Sequence, residues 1–121
     1  MSMSLDWGRK TVRGDARRGL EVTVPLSRPP SARWTEILLL LHQDRWVAND
    51  DDTWPHDVWI FGDKLRTDGV VEGAGEFARR YLDTLVADAD EKLRTDPGWV
   101  RRRHAQESEQ ALRNVLTELG G

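Results

Sequence analysis

The chain has 121 residues, a formal net charge of -3 and no cysteine. That length is one domain's worth, enough to bury a core without staples, and the missing cysteine excludes disulfides, thiolate metal sites and Cys nucleophiles. With 38% hydrophobic and 32% charged residues the chain is too apolar to read as disordered, and its acidic balance runs against proteins that hold nucleic acid through its phosphates.

Residues 1–8 read as a mobile start that Leu5 and Trp7 can dock, ahead of a single domain over 9–121. Lys10 to Arg13 fits a short strand, followed by a two-glycine turn over 14–19. Leu20, Val22, Val24 and Leu26 alternate with Glu21 and Thr23, the period of a half-buried strand. Pro25 places an edge or an end there. Ser27-Arg28-Pro29-Pro30-Ser31 breaks the strand and supplies Ser as a helix cap. A helix is expected to begin between Pro29 and Ala32 and to run to about Gln43. It carries Trp34 and the run Ile37–Leu41, so its apolar residues cover more than one face. Such a helix is deeply buried or offers a face to a partner.

Arg45 to Ala48 reads as a short strand or the helix exit, and Asn49 to Thr53 as an acidic loop. Val58-Trp59-Ile60-Phe61 is an uninterrupted apolar run, which suits a strand covered on both faces. Gly62-Asp63 marks a hairpin, with Lys64 to Val71 as its return strand and a further turn at Asp68-Gly69. Phe77, Tyr81, Leu82, Leu85, Val86, Ala89 and Leu93 keep helical spacing until Asp96-Pro97-Gly98. A last helix follows from Trp99 to about Leu119. Its stripe of Ala105, Ser108, Leu112, Val115, Leu116 and Leu119 strengthens toward the end. The order predicts an α+β fold, with a small antiparallel or mixed sheet of three to five strands packed by about three helices and ending in two C-terminal helices. Its middle resembles a split β-α-β arrangement in topology alone. The longest fully apolar run is far too short to span a membrane, and the first ten residues lack a secretory apolar region. A cytoplasmic protein is expected.

No catalytic or ligand motif rises above background. Asp50-Asp51-Asp52 with His56 and Asp57 has the chemistry to hold a hard cation, but Trp54 and Pro55 break the calcium-loop pattern, so a solvated acidic loop is the better reading. No metal or cofactor is expected. Asp57, Asp63 and Asp68 flank the hairpin with His56 next to Asp57, and His56, Asp57 and Asp63 form the best candidate for a small-ligand or enzymatic site, against the ordinary use of Asp in turns. The glycine-rich stretch 69–75 lacks the phosphate-loop ending. Arg101, Arg102 and Arg103 open the last helix, where the helix dipole disfavours cations. They suit an acidic partner, or pair with Glu107 and Glu109 on a solvated face. There are six tryptophans. Trp34, Trp59 and Trp99 are assigned to the core or its rim, while Trp46 beside Arg45, and Trp54, are the best surface anchors, the alternative being that all six cap one core. The leading expectation is a non-catalytic protein–protein interaction module with a protein partner or self-association as a homodimer. A ligand-binding domain follows, and a nucleic-acid accessory factor ranks last.

Overall fold

The computed structural model describes residues 2–48 and 57–120. Trp54, His56 and the acidic run Asp50–Asp52 lie outside the described residues. The described chain forms strand β1 (Thr11–Asp15), strand β2 (Gly19–Pro25), helix α1 (Ala32–Ala48), strand β3 (Asp57–Phe61), strand β4 (Lys64–Val70), helix α2 (Gly75–Thr95) and helix α3 (Trp99–Glu118). The strands make one antiparallel sheet in the order β1-β2-β4-β3. Because β2 and β3 are each antiparallel to β4, they run parallel to each other. The unit β2-α1-β3 is therefore a split β-α-β with β4 inserted between its strands, the expected arrangement.

Alternation decides which face is buried. Val22 and Val24 from β2, Leu26 just after it, Val58 from β3, and Leu65, Thr67 and Val70 from β4 are buried. Leu26, Val58 and Leu65 form the main core with Trp34, Ile37 and Leu38 of α1 and Leu82, Leu85 and Val86 of α2, while Val22, Val24 and Val70 form a second cluster with Ala78 of α2. Helix α1 starts at Ser31, whose hydroxyl accepts the Trp34 N–H at 3.1 Å. The helix continues through Arg45–Ala48, so that segment is not a strand. The start of the chain is tied in. Met3 is buried in the core and Leu5 and Trp7 pack against it, while the Asp6 amide donates to Pro25 O at 2.9 Å.

Two expectations about β3 and β4 are corrected. Among the described residues, helices cover one face of the sheet, so the run Val58–Phe61 is not buried on both sides. Val58 points into the core, whereas Trp59 and Phe61 stand on the open face, 41% and 50% exposed. Trp59 is not a core residue. Its ring is covered instead by the Arg66 guanidinium, 5.2 Å from the ring centroid, and Arg66 also pairs with Glu21 at 3.1 Å. Asp68-Gly69 is not a turn. Asp68 and Gly69 together oppose Glu21 in a bulge, where the β2–β4 register shifts between Leu20 and Val22. Gly69 takes a φ of 83° there, and the backbone of Gly19 lies so close that a Cβ on Gly19 would sit 2.8 Å from Gly69 Cα.

Candidate interaction surface

Helix α3 leaves the domain. Its start, as far as the Arg103–Asp44 and His104–Glu36 contacts, is held to the domain, and the rest is exposed along its length. Val100 is buried, Trp99 packs against the core, and every residue from His104 to Gly120 is exposed. Along the free part Leu112, Val115, Leu116 and Leu119 are 60, 48, 56 and 76% exposed. Four large aliphatic side chains on one helical stripe lose the stabilisation that burial gives each of them, roughly 1.5–3 kcal/mol apiece. A contiguous apolar patch of this kind marks an interaction site more often than an accident of composition.

The base of α3 explains why three arginines sit where the helix dipole disfavours them. Arg102 pairs with Asp96 in the turn before the helix. Arg103 makes a two-pronged pair with Asp44 of α1 and a further bond to Glu107 at 3.2 Å. The Arg103 hydrogen bond is the main cause that holds the Asp44 carboxyl below the usual range. Two cations contact the Trp99 ring, Lys92 Nζ at 5.0 Å and the Arg103 guanidinium at 5.4 Å from its centroid. His104 Nε2 lies 2.8 Å from Glu36 Oε1 of α1. Two of the three arginines thus act as struts within the chain. Arg101 forms no ion pair with a described residue, and it lines a shallow hollow with Arg33, Val100 and His104.

The remaining expected site residues are spread out. Arg45 pairs with Asp88 of α2, and the neighbouring Trp46, exposed, stacks on the ring of His42. One turn of α1 therefore fastens α2 through Arg45 and α3 through Asp44. Asp57 and Asp63 are exposed at opposite ends of β3, one opening the strand and the other in the hairpin turn. Among the described residues no three His, Asp or Glu side chains converge as a metal site would need, and no helix is long and apolar enough to cross a membrane. No family model, curated protein or solved structure matches the chain.

Sequence reasoning found the α3 stripe but not its exposure, because periodicity defines a face without saying what covers it. It missed Asp44, Glu36 and Asp96 as the partners that fix the helix. The signal for them was the misplaced charge of the arginine triplet, which required acids from elsewhere in the fold.

Proposed function

We propose that this chain is a cytoplasmic protein–protein interaction module that self-associates by pairing α3 with α3 of a second copy. The observation that carries the proposal is the exposed stripe on a helix whose base is clamped to the domain. Ala105, Ser108, Leu112, Val115 and Leu119 follow one another at steps of 3, 4, 3 and 4 residues, the spacing that keeps one seam facing a partner helix. Two heptads are short for a free coiled coil. Here the clamp orders the helix before pairing, which lowers the entropy that association must overcome.

Antiparallel pairing fits the side chains best. The seam is small near the base, at Ala105 and Ser108, and bulky near the tip, at Val115 and Leu119. Reversing one helix sets Ala105 against Leu119 and Ser108 against Val115, with Leu112 meeting Leu112 of the other copy at the centre, which evens out the packing along the seam. It also brings Glu118 of one copy toward the hollow of the other, where Arg33 and Arg101 outnumber the one carboxylate, Glu36. The contact is the same on both copies, as a two-fold dimer demands. Arg102 and Arg103 are engaged with acids of this chain, which favours a protein contact over phosphate binding.

Sedimentation velocity from micromolar to submillimolar protein tests the reading. The natural chain is expected to dimerise with rising concentration. Leu112→Glu with Leu116→Glu should be monomeric throughout with an unchanged circular dichroism spectrum, because neither side chain touches the core. A natural chain that stays monomeric at submillimolar concentration overturns the proposal.

A further inference from the structure

Away from α3, a cleft of about 280 Å³ opens between the β1 end of the sheet and the first turns of α2. Val12 of β1 pairs with Val22 of β2 and shares its inward face, yet Val22 is buried and Val12 is 46% exposed. The helical layer stops short of β1 and leaves its inner side uncovered. The cleft is lined by apolar groups, among them Val12, Val22 and Val70, and by the ring of Trp7. Asp83 accepts the indole N–H of Trp7 at 2.8 Å, which fixes that ring in place.

Two cations stand at this apolar space, Lys10 and Arg79. Lys10 Nζ is 3.3 Å from Trp7 O, and the Arg79 guanidinium lies 5.4 Å from the Trp7 ring. Among the described residues neither forms an ion pair. Neighbours of the same type do, since Arg80 pairs with Glu76 at 3.5 Å and Arg9 with Asp6 at 3.5 Å. An apolar slot beside one aromatic wall, with two cations whose charges no described carboxylate pairs, is complementary to a small molecule with an apolar body and one anionic head. The volume holds about nine groups the size of a water or a methylene.

We propose that this cleft binds a small amphipathic carboxylate, with its hydrocarbon body against Trp7, Val22 and Val70 and its carboxylate between Lys10 and Arg79. The site is independent of α3. Its test is a two-dimensional ¹H–¹⁵N NMR titration with octanoate, run on the Leu112→Glu, Leu116→Glu variant so that adsorption to the α3 stripe does not interfere. Saturable shifts confined to residues around the cleft, Val12, Val22, Val70 and Gly75, are expected. Octan-1-ol, which has the same body without the charge, should bind about tenfold more weakly, and so should octanoate to a Lys10→Gln, Arg79→Gln variant, as the loss of a charge-assisted contact implies. Both substituted residues are on the surface, and the spectrum of the free variant confirms its fold. The proposal is overturned by the absence of saturable shifts at millimolar octanoate, by shifts centred elsewhere, or by equal affinity for the alcohol.

Discussion

Arg103 on α3 grips Asp44 on α1 with both terminal guanidinium nitrogens, across 59 residues of chain. This pair sets the direction in which α3 leaves the domain. Arg103 is mostly buried against Trp99, while the Asp44 side chain is nearly half exposed, so solvent screens part of the attraction. A two-pronged pair of this kind contributes about 1 kcal/mol. Arg103→Gln is expected to lower urea stability by about that amount and to speed amide exchange in the first turns of α3. Arg103→Lys should restore less than half of it, because an ammonium cannot reproduce the fork or cover the indole. Equal stability of Arg103→Lys and the natural chain would show that only net charge matters here.

His104 gives the same clamp a dependence on pH. Its hydrogen bond to Glu36 is the largest cause that raises its pKa above the ordinary 6.5, with the charges of Glu36 and Glu107 adding to it. The protonated ring is the form held by the folded chain. Its contribution is therefore fully present below pH 6.5 and is lost as pH rises through the raised value. An NMR titration should place His104 above 6.5, and Glu36→Gln should return it toward that value. Exchange at the base of α3 should quicken on the alkaline side of the transition. A His104 that titrates at or below 6.5 would mean that the contact with Glu36 does not persist in solution.

The parts of the fold that were legible in the sequence are those in which one residue's surroundings follow from its own spacing. Leu20, Val22, Val24 and Leu26 do face one way, and the positions from Tyr81 to Ala89 do form the buried side of α2. What was not legible depends on the number of layers. Trp59 and Phe61 look like core residues in a run with Val58 and Ile60, and they turn outward because no described helix covers the second face. The same holds for the stripe of α3, which is as periodic as a buried one. Asp68-Gly69 has the composition of a turn, and only the pairing of β2 with β4 shows it to be a bulge.

That bulge yields a sharp contrast between glycines. Gly19 has a φ of 124° and its backbone crowds Gly69, while Gly62 in the β3–β4 turn has a φ of 59° and open space, with nothing within 4 Å of where a Cβ would sit. Gly19→Ala combines a conformation closed to side chains with a contact against backbone that cannot give way. It is expected to cost about 2 kcal/mol or more, read as a shift of the urea midpoint. Gly62→Asn should cost only a few tenths of a kcal/mol, because asparagine tolerates the left-handed region. Similar losses for both would show that the close approach of Gly19 and Gly69 relaxes.

Tyr81 offers a measurement of the α1–α2 seam without labels, since it is the only tyrosine of the chain. Its hydroxyl is hydrogen-bonded to Nδ1 of buried His42. Burial pushes its pKa from 10 up to about 12, against a smaller lowering by the Arg45 charge. Between these values an unfolded chain gives up the phenol proton and the folded chain keeps it. Stability from this group is thus complete below pH 10 and falls as pH rises through about 12. Tyrosinate absorbance at constant fold should stay low past the ordinary pKa of 10 and climb only near 12. Arg45→Gln should move the rise further up, by removing a nearby charge that favours the phenolate. A titration centred near 10 in the folded protein would place the phenol in water and dissolve the packing of His42, Trp46 and Tyr81 at this seam.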